Sequence, residues 1–228
     1  AFDVTVGPLV DLWGFGPTTG QPPIPSQSAI TQALQAVGAD KLAVRLEPPA
    51  LRKNHPQLRV DLSAIAKGHA VDRLAKVLDR LKFDAYFVEI GGEVRTKGHK
   101  LDETQWQVGI ERPTVDQQSV QRALALSDLS LATSGNYRNF HEVDGRRYSH
   151  TINPETGRPV EDPIASASVI ATNCALADGI ATGMMSAGFD AGMALAERNG
   201  WSVLLVRPTA DGDFETAMSA AFAKSYPE

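Results

Sequence analysis

Residues 166–218 read SASVIATNCALADGIATGMMSAGFDAGMALAERNGWSVLLVRPTADGDFETAM, and their order decides the fold class. Ser166 to Ala171 has the β-branched character of a strand, while Asn173 to Ala187 and Asp190 to Asn199 read as helices. Trp201 to Arg207 is then expected to pair with Phe214 to Met218 around the turn signal Asp211-Gly212. A strand, two helices and a hairpin in succession belong to an α+β protein with a mostly antiparallel sheet.

Working outward, the same pattern recurs upstream. Ala85 to Ile90 reads as a strand ending at Gly91-Gly92, followed by strands at Trp106 to Glu111, Arg122 to Leu126 and Ser130 to Thr133. Phe140 to Val143 and Arg147 to His150 flank Asp144-Gly145, a hairpin signal because a type I′ turn needs positive φ. Val71, Leu74, Ala75, Leu78 and Leu81 recur at helical spacing opposite Asp72, Arg73, Lys76, Asp79 and Arg80, which predicts an amphipathic helix starting near a Ser63 cap. Nearer the N-terminus, Phe2 to Val6 reads as a strand and residues 7–25 as a packed loop anchored by Leu9, Leu12, Trp13 and Phe15. Ser26 is placed as the cap of a helix through Ala36, with strands expected at Leu42 to Leu46 and Leu58 to Leu62. With 228 residues and neither repeat nor low-complexity tract, the chain is read as a single domain over 1–228.

Composition narrows the function classes. The formal net charge is −5 and no dense Lys/Arg block occurs, which argues against nucleic acid or an anionic membrane as the main partner. No window of 18 apolar residues exists to span a bilayer. The single cysteine, Cys174, excludes an internal disulfide and a multi-cysteine zinc site. The chain starts at Ala1 directly in strand-like sequence, so a segment upstream is expected to have been removed or left out.

Two places carry candidate chemistry. Across the 26 residues from Ile164 to Phe189 the only charged side chain is Asp178, with Thr182 four residues on and so on the same helical face. Either Asp178 caps a neighbouring backbone or meets an arginine, or it joins Thr182, carbonyls, waters and substrate phosphates around a hard cation such as Mg²⁺. His150 adjoins Asn153-Pro154-Glu155-Thr156-Gly157, a turn able to hold a side chain rigidly; it is a structural histidine or a general base. The remaining histidines lack zinc spacing. Gly14-Phe15-Gly16-Pro17-Thr18-Thr19-Gly20 lacks the spacing and the strand-to-helix context of a dinucleotide fingerprint, so a Rossmann reading is rejected. Gly91-Gly92 and Thr133-Ser134-Gly135 are either ligand approaches or plain turns.

Taken in order, six blocks resemble the ApbE-type FAD:protein FMN transferases. They are Ala1 to Val10 with Leu12-Trp13-Gly14-Phe15-Gly16; Val60-Asp61-Leu62-Ser63 through Ala66-Lys67-Gly68 to Asp72; Ile90-Gly91-Gly92; Thr133 to Arg138; Ser149-His150 with Asn153-Pro154 and Thr156-Gly157-Arg158-Pro159; and Ala177-Asp178-Gly179-Ile180-Ala181-Thr182. The resemblance implies an α+β, T-fold-like domain and transfer of FMN from FAD onto a Thr or Ser hydroxyl of an acceptor flavoprotein, with release of AMP.

By the same resemblance, FAD as substrate would meet Ala1, Phe2, Asp3, Asp61, Lys67 and the Thr151 backbone. Mg²⁺ would be held by Asp178, Thr182 and the main-chain carbonyl of Ala64, and His150 would be the base. The acceptor would be a subunit of a membrane redox complex. The location would be periplasmic, with lipid anchoring through an N-terminal segment absent from this chain, which would also leave the family domain N-terminally incomplete. This sequence departs from the family pattern at Ala181, where some members carry a second metal-binding aspartate, and at His69, Asn153 and Thr151. An FAD pyrophosphatase giving FMN and AMP, and a flavin-binding module without catalysis, are the alternatives.

Overall fold

The computed structural model describes residues 2–16, 24–114, 119–136, 140–143, 145–161 and 164–227. Its first half contains α1 (Gly7–Leu12), α2 (Gln27–Leu34), β1 (Leu42–Arg45), β2 (Ala50–Lys53), α3 (Ser63–Arg80), β3 (Tyr86–Ile90), β4 (Glu93–Lys97) and β5 (Trp106–Glu111). There follow β6 (Val120–Leu126), β7 (Ser130–Gly135), β8 (Phe140–Val143), β9 (Arg146–Ser149), β10 (Ile152–Asn153) and β11 (Arg158–Pro159). The last third holds β12 (Ser166–Ala171), α4 (Cys174–Ala187), α5 (Phe189–Asn199), β13 (Ser202–Pro208), β14 (Phe214–Met218) and α6 (Ala220–Ser225). All these strands pair antiparallel, as expected of the α+β class. The chain forms two compact units, one from residues 1–62 and 139–161, the other from 63–138 and 162–228.

In the larger unit a six-stranded sheet runs β14-β13-β12-β7-β4-β3. Alternation along its strands feeds two cores. Ala167, Val169, Val203 and Leu205 pack with Ala177, Ala181, Met184 and Met185 of α4 and with Phe189 and Ala196 of α5. Leu131, Ile170, Leu204 and Val206 pack instead with Val108, Ile110, Leu124 and Leu126 of the β5–β6 hairpin and with Phe222 of α6. Both faces of the central strands are therefore covered, which is why β12 and β13 read as nearly unbroken apolar runs. A third cluster seats Val71 and Ala75 of α3 on Tyr86 and Val88 of β3 beside Cys174.

The smaller unit is built around Leu9, Trp13, Ile30, Val37 and Ile152. The indole N–H of Trp13 donates to the Gly157 carbonyl at 2.8 Å, tying α1 to the turn after β10. Gly157 has φ +67, and a Cβ there would lie 2.7 Å from Ile30 Cγ2, so this turn is pressed against α2 and admits no side chain. Asn153 Oδ1 accepts the N–H groups of Glu155 and Thr156 at 2.8 and 3.2 Å, which makes the turn rigid, as the sequence suggested.

Several local expectations are corrected. Phe2 to Val6 forms no strand beyond a bridge from Val6 to Arg59, and residues 7–12 are helix α1 with Pro8 in its first turn, where the missing N–H costs nothing. Leu58 to Leu62 is not a strand; the partner of β1 is β2, across the turn through Glu47, Pro48 and Pro49. On α3 the buried stripe is Gly68, Val71, Asp72 and Ala75, whereas Leu74 and Leu81 face outward, so the apolar face sits further round the helix than the leucine spacing implied. β4 was hidden because Glu93, Arg95 and Lys97 break the apolar signal. Each of these three is paired with a residue of α3: Lys67, Asp72 and Asp79 respectively. The Asp144 turn position, Tyr137, Arg138 and the prolines at 17, 22 and 23 lie outside the described residues.

Candidate functional site

In the larger unit, α3 and α4 cross at Gly68. A Cβ on Gly68 would lie 2.4 Å from the Cys174 carbonyl oxygen and 2.8 Å from the Ala175 nitrogen, both backbone atoms, so only glycine allows this approach. Two carboxylates fasten the crossing. Asp178 Oδ2, from α4, accepts the Gly68 N–H at 2.9 Å. Asp72, from α3, accepts the N–H groups of Cys174 and Ala175 at 3.0 Å each, completing the α4 N-terminus that Asn173 also caps through Leu176.

Asp178 is 3% exposed, and among the described residues its carboxylate has the single hydrogen bond from Gly68. Burial pushes its pKa up, with the Gly68 N–H and the nearby Lys67 ammonium opposing. The backbone-capping reading of Asp178 therefore holds, and the carboxylate still has acceptor capacity to spare. In an α-helix the Gly68 N–H ordinarily closes on the Ala64 carbonyl four residues back, and here Asp178 Oδ2 accepts from that same N–H. One turn along α4 from Asp178, the Thr182 hydroxyl meets the Ser134 hydroxyl of β7 at 3.2 Å.

This donor set suits a hard cation. A buried carboxylate, a hydroxyl and a main-chain carbonyl would all offer oxygen to such an ion, and a cation would offset the desolvation that raises Asp178. Among the described residues no three His, Cys, Asp or Glu side chains converge as a metal cage. An ion held by one carboxylate and neutral oxygens would keep water or substrate phosphate in its shell, which is the habit of Mg²⁺ rather than of zinc.

Lys67 lies on α3 next to Gly68, and its ammonium donates to Glu93 Oε1 at 2.6 Å and to the Gly91 carbonyl at 3.4 Å. Glu93 opens β4 and is 1% exposed, with Oε2 buried and unpartnered. Burial pushes the Glu93 carboxyl up, Lys67 opposes this, and the charge on Asp178 adds to it. Gly91 and Gly92 form the β3–β4 turn with φ +60 and +95, so the Gly-Gly pair is a true turn that also meets the Lys67 side chain.

The smaller unit carries the other predicted residues. Asp3 accepts the N–H and hydroxyl of Thr5 at 2.8 and 2.7 Å and the Ala39 N–H at 3.0 Å, a local fastening of the N-terminal segment. Phe2 is partly exposed, and the Asp61 N–H donates to the Val4 carbonyl at 2.7 Å. The Thr151 N–H donates to Ser149 Oγ at 3.0 Å and its carbonyl accepts from Val160 at 3.0 Å, so its backbone is already engaged within the unit. His150 sits edge-on to Phe15 with ring centres 6.4 Å apart, and His141 stacks on Phe15 at 4.2 Å. Ala1 lies outside the described residues.

Ala64, Lys67, Asp178 and Thr182 are thus placed in one unit, around the α3–α4 crossing and the adjoining end of β7; Phe2, Asp3, Asp61, His150 and Thr151 belong to the other. Sequence reasoning missed Glu93 and the capping role of Asp72; it singled out Thr133-Ser134-Gly135 as a ligand approach or a turn, and the structure places these residues in strand β7, with Ser134 against Thr182. Glu93 directly follows the Gly-Gly turn, and a strand opening on a charge was the available signal.

The ApbE family model matches residues 1–205. A Vibrio cholerae FAD:protein FMN transferase is 46% identical over 220 residues, covering 96% of this chain. Its Haemophilus influenzae counterpart is 43% identical over 229 residues, covering 98%. The chain spans 65% of the length of each of these two curated relatives. Among solved structures, the apo Pseudomonas stutzeri flavinyl transferase ApbE superposes with a TM-score of 0.89 at 38% identity, covering 100% of this chain and 70% of that one. The Vibrio cholerae flavin transferase ApbE gives 0.86 at 44% identity, covering 99% and 71%. A match over most of the chain, on a fold built around the same Gly68 and Asp178 blocks that carried the resemblance, has one reading: the chain belongs to the ApbE family.

Proposed function

We propose that this chain carries the transferase activity for which its relatives are named, moving FMN from FAD onto a Thr or Ser hydroxyl of an acceptor flavoprotein and releasing AMP. The observation that carries the proposal is the buried Asp178 carboxylate, hydrogen-bonded to the Gly68 N–H and one helical turn from Thr182, with Ala64 four residues before Gly68 in α3 supplying a main-chain carbonyl to the proposed set. These oxygens would hold Mg²⁺, which when bound supplies charge neutralisation at the pyrophosphate. Asp178 lies in a poorly solvated place, where a carboxylate's pull on a cation is strong. Ser134 orients the Thr182 hydroxyl by sharing a hydrogen bond with it.

His150 takes the proton from the acceptor hydroxyl. The acceptor oxygen forms a bond to the FMN phosphorus, the phosphoanhydride bond to AMP breaks, and AMP leaves with the electron pair. Phe15 limits the swing of the His150 ring through their edge contact. The acceptor class we infer is a flavoprotein subunit of a membrane redox complex, in the periplasm.

The test is incubation of the protein with FAD, Mg²⁺ and a flavoprotein carrying a candidate Thr or Ser site, read by intact mass. An acceptor heavier by one FMN, together with AMP in the supernatant, is the expected result. Free FMN and AMP with an unchanged acceptor would make the protein an FAD pyrophosphatase. Unconsumed FAD under all conditions would leave only a binding module.

A further inference from the structure

The resemblance sets Lys67 against FAD but gives no role to Glu93, the residue it pairs with. Glu93 is held almost wholly out of water on a central strand, yet the partner that compensates its charge is a lysine whose side chain is 47% exposed. A buried ion pair is weak support for a fold, because well-packed apolar residues usually do as well. The polarity of the helix–strand pairing sharpens the point. Arg95 and Lys97 of β4 present cations to Asp72 and Asp79 of α3, whereas the rung nearest Asp178 is reversed, with the acid on the strand and the cation on the helix. The reversal places the Lys67 ammonium, beside the Glu93 carboxylate, in electrostatic range of Asp178.

An ammonium has three N–H donors. Two of those on Lys67 go to Glu93 Oε1 and the Gly91 carbonyl, and the glycine turn leaves room for the lysine stem, since a Cβ on Gly91 would come within 3.3 Å of Lys67 Cδ. The third has no acceptor among the described residues, and the side chain is about half exposed. A flexible side chain is thereby converted into a fixed cation with one open hydrogen-bond position.

We propose that Glu93 is a positioning residue, which holds the Lys67 ammonium in place to receive a phosphate oxygen of the nucleotide substrate. The proposal rests on the FAD reading above and deepens it by assigning the ligand group to the diphosphate and the positioning to Glu93. Pre-paying the ordering of a lysine side chain, which otherwise falls on the binding step, is the source of the affinity gained.

The experiment measures FAD and riboflavin affinity by flavin fluorescence for the wild-type chain, Glu93→Gln, Lys67→Met and the double variant, with melting temperature recorded for each. Glu93→Gln keeps the volume and an acceptor oxygen but removes the charge. FAD affinity is expected to fall about tenfold in either single variant and no further in the double, while riboflavin, which has no phosphate, is unaffected. Lys67→Met lies on the exposed side and keeps the test open if Glu93→Gln folds poorly. Equal FAD affinity in wild-type and Glu93→Gln overturns the positioning role alone. An equal loss from Glu93→Gln with and without Lys67, or an equal loss for riboflavin, assigns Glu93 to the fold and overturns it as well. A wild-type chain that binds no FAD overturns both this assignment and the function on which it rests.

Discussion

Asp72 and Asp178 clasp the α3–α4 crossing in opposite directions: Asp72 reaches from α3 to the Cys174 and Ala175 N–H groups, and Asp178 reaches from α4 to the Gly68 N–H. The two bonds are not equivalent in consequence. Asp72 also accepts from Arg95 and completes a helix terminus, so its loss leaves buried donors unpaired. Asp178 satisfies one N–H that can fall back on the Ala64 carbonyl. Asp72→Ala is therefore expected to cost about 3 kcal/mol of stability, read as a lowered urea midpoint at unchanged slope. Asp178→Ala should cost less than half of that, and Asp178→Asn, which retains an acceptor, close to nothing. Both Asp178 variants should abolish Mg²⁺-dependent turnover. Wild-type turnover in Asp178→Asn at saturating FAD would remove Asp178 from the metal set.

Gly68→Ala tests the crossing itself. The added methyl would meet the Cys174 carbonyl and the Ala175 nitrogen, backbone atoms that cannot swing aside as a side-chain tip does. The helices must part, at an expected 2 kcal/mol or about that, and the Asp178 contact parts with them. Urea unfolding and Mg²⁺ affinity should both weaken. A variant with unchanged stability would mean that the crossing relaxes at no cost.

The fold was legible where one period dominated. The apolar α4 and the hairpin at Asp211-Gly212 read correctly, because local propensity and tertiary environment agreed, while Asn173, read as the first helical residue, caps α4 instead. α3 misled because its outward Leu74 and Leu81 carried the leucine spacing while the buried stripe included Gly68 and Asp72, residues selected by close approach and capping rather than by hydrophobicity. β4 was invisible for a related reason: its charges are matched by α3, and that partner is supplied only by the fold. In the site, the lone carboxylate at Asp178 stood out against an apolar helix. Glu93 did not, since a glutamate after a turn is ordinary until its burial and partner are known, and Ser134 was marked only within Thr133-Ser134-Gly135, without its Thr182 partner.

Cys174 offers an independent report on the same crossing. The thiol is fully buried, and burial together with the neighbouring Asp72, Asp178 and Glu93 carboxylates pushes its pKa far up, so almost no thiolate is present at neutral pH. Native protein should resist maleimide, and labelling should follow opening of the α3–α4 region. Asp72→Ala should accelerate it in proportion to the stability lost. Rapid labelling of the native wild-type chain would contradict the packing around Gly68.

Glu93 gives a pH dependence of defined sign. Burial raises its carboxyl above the ordinary glutamate value despite Lys67, so over the interval between those values the folded chain keeps a proton that the unfolded chain has released. Its contribution to stability then falls as pH rises through that interval and levels off once both states are ionised. Glu93→Gln does not titrate. Its urea midpoint relative to wild type should increase from about pH 4 upward and level off once the folded-state carboxyl has ionised. A difference that is flat with pH, or that shrinks as pH rises, would show that Lys67 outweighs burial.

The last prediction concerns His150. Its ring contacts Phe15 edge-on, and Phe15 is stacked by His141, whose Nε2 lies 3.3 Å from the Gly14 carbonyl, so the loop after α1 braces the histidine. The turn held by Asn153 and Gly157 fixes the backbone just beyond it. If His150 removes the acceptor proton, His150→Asn should retain FAD affinity and slow transfer by about 10² to 10⁴-fold, the usual worth of a positioned general base. Phe15→Leu removes the brace but not the base. It should slow transfer by roughly tenfold, with FAD affinity again unchanged, because a small misplacement of a reacting group lowers the rate more than it lowers binding. Single-turnover rates measured at saturating FAD separate the two effects. A loss of FAD affinity in His150→Asn with an unchanged rate per bound FAD would make His150 a binding residue and leave the proton to another group.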